Sequence, residues 1–297
     1  EGREYDSPGM DYFVKKYIMD TKLKKDFIKI CSDGFKQGWH ERNGGNLSYR
    51  MKNEEIEEVR SLFNEDNKWQ DIGTKVPALA DEYFMVTGSG KYMRNVELDF
   101  EDSVAIIHLN NDGSKYKIVY GLVNGGRPTS ELPSHLMNLE VLKQRDEDLR
   151  VVYHSHPANI VALTFVLPLN DEVFTREIWE METECPVVFP QGIGVVPWMV
   201  PGGREIGVKT SEIMKTKNVA LWAHHGLFVC GHDFDEAFGL MHTVEKAAEI
   251  LVKVLSMSDR KLNTIHPKDF KDLEEPFNIS LDEKYLYEKP SDKIGSR

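Results

Sequence analysis

The sequence predicts a single α/β domain in which a mixed β-sheet is covered by helices. Three observations carry this expectation. Helical and strand-like patterns alternate irregularly along the chain. In its first half, residues 103–109 and 115–121 flank Asn-Asn-Asp-Gly-Ser, and an Asp-Gly loop between two apolar runs is the signature of a hairpin. No internal repeat and no linker interrupts the pattern. Hairpins within such an alternation argue against a purely parallel, doubly wound sheet.

The elements follow in order. Residues 1–10 read as a loose end. Phe13, Tyr17, Ile18, Leu23, Phe27, Ile30, Cys31 and Phe35 recur at helical spacing and predict two helices, or one broken at Asp20-Thr21. The run Glu41-Arg-Asn-Gly-Gly-Asn-Leu-Ser-Tyr-Arg50 ends the helix and enters a strand. Residues 51–75, rich in Glu, Asn and Asp, read as a surface excursion. A strand at 83–87 precedes a Gly-Ser-Gly turn. Beyond the hairpin come a helix at 131–144, a strand at 150–156 and helices at 157–167 and 170–181. Strands at 187–189 and 194–198 and a helix at 204–216 follow. Strands at 219–223 and 227–230 surround a His-His-Gly turn. The last helix, 233–256, carries Phe234, Ala237, Phe238, Met241, Val244, Ala248, Leu251 and Val252 on one face. The domain is thus expected over 11–258, with a polar tail at 259–297.

Composition narrows the function. Among 297 residues, 37 Lys and Arg face 49 Asp and Glu, a formal charge of −12. Phosphate backbones are bound by clustered Lys and Arg, so nucleic acid is not the expected partner. A small anion held by backbone amides remains compatible with this balance. Cys31, Cys185 and Cys230 are too few and too scattered for a disulfide framework or a thiolate metal site, which suggests a reducing cytoplasm. No apolar run reaches the roughly 18–20 residues of a transmembrane helix, and no signal-peptide core is evident. No membrane partner is expected.

The sharpest motif is Val151-Val-Tyr-His-Ser-His-Pro157. Side chains at i and i+2 of a strand share a face, so His154 and His156 could grip one metal ion. A third ligand is offered by Leu221-Trp-Ala-His-His-Gly226; spacing leaves His224 and His225 as alternatives. Neutral imidazole suits Zn²⁺ and other late divalent ions. Three polar turns, Asn43-Gly-Gly-Asn46, Thr87-Gly-Ser-Gly-Lys91 and Pro128-Thr-Ser-Glu131, offer amides and short polar side chains for a phosphorylated ligand. None has the spacing of a nucleotide-binding loop. Glu131 is either a first-turn helix residue behind a Ser130 cap or a general acid/base near the metal. Glu184 is a second carboxylate of the same kind. Tyr120, Tyr153, Arg94 and His135 are not separated from structural residues by anything local. A serine or thiol hydrolase is disfavoured, because no Gly-x-Ser-x-Gly elbow or catalytic Cys stands out.

At these residues the chain resembles the class II aldolase/epimerase/adducin superfamily. The matching blocks include Gly38-Trp-His-Glu-Arg-Asn-Gly-Gly-Asn-Leu47, Val86-Thr-Gly-Ser-Gly-Lys91, Pro128-Thr-Ser-Glu-Leu-Pro-Ser-His135, His154-Ser-His156, Thr183-Glu-Cys185, Pro197-Trp-Met-Val-Pro-Gly202 and Leu221-Trp-Ala-His-His-Gly226. They run from about residue 35 to 256. The resemblance implies a mixed, largely antiparallel sheet between helical layers. It implies one Zn²⁺ per subunit on His154, His156 and His225, and an acid/base role for Glu131. Glu184 matches a second glutamate near the aldehyde part of the substrate, reaching in from a neighbouring subunit. Asn43, Asn46, Ser89, Gly90, Thr129 and Ser130 match the positions that hold a phosphate. Metal-dependent cleavage of a phosphorylated ketose by a homotetramer is therefore expected. A sister aldolase or a pentulose-phosphate 4-epimerase is an alternative on the same fold. A non-catalytic adducin-like module is disfavoured, because every candidate ligand is retained.

Overall fold

The structure, a computed structural model, describes residues 19–290. Helix α1 (Lys22–Lys36) starts where Thr21 Oγ1 accepts from the amide of Lys24 at 3.2 Å, so the expected break at Asp20-Thr21 is an N-cap. The helical pattern expected before it lies outside the described residues. Strand β1 (Asn46–Arg50), helix α2 (Asn53–Val59) and strands β2 (Gln70–Asp71) and β3 (Tyr83–Thr87) follow. Residues 51–75 are more than a surface excursion, because Ile56, Val59 and Ile72 are buried and β2 forms the sheet's edge. Their apolar residues are too widely spaced among acids to show a period.

Helix α3 (Phe100–Ser103) leads into the hairpin of β4 (Val104–Leu109) and β5 (Lys115–Gly121). Then come α4 (Leu132–Arg145), β6 (Val151–Ser155), α5 (Ala158–Leu163), α6 (Asp171–Trp179), α7 (Glu184–Val188), β7 (Ile193–Val196), α8 (Arg204–Met214), β8 (Val219–Trp222), β9 (Gly226–Gly231) and α9 (Phe234–Met257). The strand expected at 187–189 is instead the end of α7. A three-residue apolar run does not distinguish strand from buried helix, and Pro186, lacking an N–H, fits the first turn of a helix better than a ladder.

The nine strands form one sheet in the order β2-β5-β4-β3-β1-β6-β9-β8-β7. Every pairing is antiparallel except β7 with β8. The sheet is covered on both faces. Leu47, Tyr49, Val151, Tyr153, Leu227 and Val229 pack toward the face holding α1 and α9. Their alternates Val152, Ala220, Phe228 and Cys230 pack toward α4 residues such as Leu136 and Leu139. Burial of both faces explains why most strands read as near-continuous apolar runs.

The polar tail also joins the core. Helices α10 (Pro267–Asp272) and α11 (Glu274–Phe277) follow α9, and Phe270 and Tyr285 are buried against Trp179, with ring centroids 5.8 and 5.3 Å away. The buried Arg176 guanidinium donates to Glu180 at 3.1 Å and to the carbonyls of Tyr285 and Tyr287 at 3.2 and 2.6 Å. Phe270→Ala is expected to lower unfolding stability by about 3–5 kcal/mol, the cost of emptying a buried aromatic site. Urea titration measures the loss, and limited proteolysis should show new cleavage between α9 and α10.

Candidate active site

The site forms at one end of the sheet, where three neighbouring strands meet. Antiparallel register sets Asn46 of β1 opposite His154 of β6, and His154 opposite Phe228 of β9. The end of β6, the start of β1 and the β8–β9 turn are thereby brought together. Two glycines permit this closeness. A Cβ on Gly226 would stand 2.4 Å from the Ser155 carbonyl oxygen. Gly45 has φ +80°, and a Cβ there would stand 2.5 Å from His40 Nδ1 and 2.6 Å from the His154 carbonyl oxygen.

The loop before β1 is pinned from behind. His40 Nε2 lies 2.7 Å from the Tyr153 hydroxyl and its Nδ1 lies 2.9 Å from the Gly44 carbonyl oxygen. Burial lowers the His40 pKa to about 4, so the ring stays neutral near pH 7. The amide of His156 donates to the Trp39 carbonyl at 3.0 Å. Across β3, Thr87 Oγ1 accepts from the Leu47 amide at 3.1 Å, and its carbonyl accepts from the Thr129 amide at 2.9 Å. These bonds draw all three polar turns to the same end.

His154, His156 and His225 each place one ring nitrogen within 4.8 Å of the others. His154 Nε2 and His225 Nε2 are 3.3 Å apart. The Nδ1 atoms of His154 and His156 are engaged elsewhere. His154 Nδ1 lies 3.1 Å from the Leu227 carbonyl oxygen and His156 Nδ1 lies 2.5 Å from Glu41 Oε1. Donation by Nδ1–H leaves Nε2 unprotonated, the arrangement a metal ligand needs. His156 Nε2 is buried with no hydrogen-bond partner in the protein, as a nitrogen that serves as a metal ligand would be. Burial lowers the His225 pKa to about 4 and holds that of His154 well below its ordinary value. His224 takes the other direction. It adopts φ +59° and packs on Phe165, with ring centroids 4.2 Å apart, so of the two alternatives His225 joins the cluster.

Glu131 faces this cluster. The expected Ser130 cap is not formed: Glu131 itself holds the N-cap position of α4, and its side chain makes no capping bond. Its carboxylate turns instead into the site, with Oε2 3.7 Å from His154 Nε2 and Oε1 4.0 Å from His225 Nε2. Asn46 Nδ2 donates to Oε2 at 2.6 Å. Burial raises the Glu131 pKa, and the Asn46 bond opposes that shift.

A cavity of about 380 Å³ is lined by the three histidines, Glu131 and all six residues expected to hold a phosphate: Asn43, Asn46, Ser89, Gly90, Thr129 and Ser130. Glu184 is absent from the lining and is exposed on α7. Tyr120 and Arg94 belong elsewhere, bonded to the Met19 amide and placed over Phe35 respectively. Sequence reasoning missed two lining residues, Glu41 and Arg42. Arg42, at φ 49°, brings a permanent cation to the cavity, beside Glu41 in the same turn. The loop Glu41-Arg-Asn-Gly-Gly carried that signal, one residue before the first proposed phosphate contact.

Comparison with known proteins bears on the family and the fold. Residues 25–252 match the profile of the Class II Aldolase and Adducin N-terminal domain. Rhamnulose-1-phosphate aldolase of Mannheimia succiniciproducens is 47% identical over 264 residues, 89% of this chain and 97% of the relative. The protein of that name from Pectobacterium atrosepticum is 46% identical over 267 residues, 89% of this chain and 96% of the relative. A sugar-phosphate aldolase structure from Thermotoga maritima superposes with TM-score 0.69 at 28% identity, covering 82% of this chain and 100% of that one. A solved L-fuculose 1-phosphate aldolase shares the fold, with TM-score 0.56 at 18% identity, over 89% of this chain and 99% of its own.

His156→Ala should remove tightly held divalent metal, because the three-imidazole cluster loses a third of its candidate ligands and two remain. Elemental analysis after dialysis checks this. Circular dichroism should be unchanged, since the ring sits at the rim of the sheet and not within either apolar layer.

Proposed function

The chain belongs to the family of the Class II Aldolase and Adducin N-terminal domain, and from that premise we propose that it cleaves L-rhamnulose 1-phosphate to dihydroxyacetone phosphate and L-lactaldehyde. The observation that carries the reading is the convergence, in one cavity, of three imidazoles, a buried carboxylate and three polar turns. Among the described residues no other group of three or more His, Cys, Asp or Glu side chains is placed to share a metal ion.

Cleavage breaks the bond between ketose C3 and C4. The C4 hydroxyl loses its proton as the aldehyde forms, and the electron pair passes to the three-carbon fragment as an enediolate. Reprotonation at C3 completes dihydroxyacetone phosphate. His154, His156 and His225 would hold a Zn²⁺ ion, which would supply Lewis acidity where that negative charge develops. Glu131 moves the protons, and its buried position suits a carboxylate that must release as well as accept one. Asn43, Asn46, Ser89, Gly90, Thr129 and Ser130 hold the phosphate, with Arg42 at the rim. Binding energy at the phosphate then positions a scissile bond several atoms away.

A homotetramer is part of the same proposal. Phe165, Trp198 and Val200 are 70%, 62% and 71% exposed. Phe165 packs on His224, beside His225, and Trp198 and Val200 precede Gly202, whose Cβ would lie 3.7 Å from the Ser130 carbonyl oxygen. Apolar surface at the cavity rim favours a neighbouring copy there. Glu184, away from its own cavity, serves that copy's substrate. Three buried, unbridged cysteines support a cytoplasmic setting. Among the described residues no helix is long and apolar enough to cross a membrane.

Turnover is compared with and without a chelator, by a coupled assay for dihydroxyacetone phosphate with L-rhamnulose 1-phosphate and L-fuculose 1-phosphate, and by an assay for the 4-epimer with a pentulose phosphate. Chelator-sensitive turnover of the first is expected; preference for either of the others refutes the assignment. Glu131→Gln should retain metal and lose about 10²–10⁴-fold in kcat, the usual share of general acid–base catalysis. Wild-type-like kcat in that variant would remove Glu131 from the proton path.

A further inference from the structure

Behind the carboxylate lies a buried polar chain that the reaction as described does not use. His135, in the first turn of α4, is fully buried. Its Nε2 meets Asn46 Oδ1 and its Nδ1 lies 2.5 Å from Ser48 Oγ, itself fully buried on β1. Asn46 Nδ2 then reaches Glu131 Oε2 at 2.6 Å. The hydrogen-bonding inventory gives this chain one polarity. An ionised carboxylate only accepts, so Asn46 must turn its NH₂ to Glu131 and its carbonyl to His135. The Asn46 carbonyl also only accepts, so His135 must carry its proton on Nε2. A neutral imidazole protonated there has a lone pair on Nδ1, which the Ser48 hydroxyl must fill. Burial drives the His135 pKa down to about 3, which keeps the ring in a single neutral form.

We propose that Ser48 and His135 are positioning residues, which fix the Asn46 amide so that Glu131 Oε2 is permanently engaged and Oε1 alone exchanges protons with the substrate. This rests on the role given to Glu131 above. Reversal of the chain would flip Asn46 and set its carbonyl against the carboxylate, a repulsive pair in a buried site. Ser48 and His135 do not line the cavity, so their effect passes through Asn46. One face of the carboxyl group is thereby held and the other, toward His225, left to react.

The test combines spectroscopy with kinetics on the full-length holoenzyme. Magic-angle-spinning NMR of ring-¹⁵N-histidine protein, with His135 identified by its absence from His135→Gln, should show Nε2 protonated and Nδ1 bare. Protonated Nδ1 overturns the proposal. Ser48→Ala should lower kcat about tenfold, the equivalent of one net hydrogen bond, with KM and bound metal unchanged. Unchanged kcat, or a rise in KM alone, overturns it, the latter because Asn46 would then act only on the phosphate. His135→Leu should lose more kcat than His135→Gln, whose amide can still donate to Asn46; equal losses at equal metal content refute the orienting role. If wild-type protein cleaves none of the sugar phosphates, the functional reading falls, and the NMR polarity alone decides the chain.

Discussion

The rest of the structure depends on the register of three strands. Because β1, β6 and β9 run antiparallel with Asn46 opposite His154 and His154 opposite Phe228, one end of the sheet gathers a loop, a strand end and a turn. A slip of one residue in any pairing would send the site side chains to the opposite face. Apolar layers on both faces hold the register, since each strand's two sets of side chains are already committed to different cores. The polar site is precise because the apolar packing around it leaves no second solution.

The electrostatics follow from that placement. Pulling a carboxylate and imidazoles out of water costs energy, and for His154, His40 and Glu131 the structure meets the cost with neutral partners. His154 and His40 bond to backbone carbonyls and Glu131 bonds to an amide. Burial keeps His154 and His225 unprotonated, which suits ligands but not ion pairs. The chain's charge of −12 is irrelevant to this interior, where polarity is set residue by residue.

Much of this was legible in the residues. His-x-His at the end of an apolar strand carries its meaning in its spacing, and the polar turns announce themselves by composition. The register that joins them is non-local, so only the resemblance could connect residues 43, 89 and 129 beforehand. Other features left no local trace. Val187, Val188 and Phe189 read as strand, although Val187 and Val188 continue the helix that holds Pro186 in its first turn. Phe270 and Tyr285 look like stray aromatics in a polar tail until Trp179 is set beside them. Glu41 and Arg42 sat inside a recognised loop, yet nothing about a charged pair beside glycines says which way it faces. His135 differed from a structural histidine only through two partners distant in sequence.

The separation of the three imidazoles along the chain has a consequence for biosynthesis. His154 and His156 leave the ribosome together, but His225 follows only after β7, α8 and β8 have been made. Until β9 pairs with β6, a nascent chain presents two imidazoles, too few for a closed tight site. On the proposed ligand set, a complete metal site would therefore have to wait until the β8–β9 turn has been made and β9 has paired with β6.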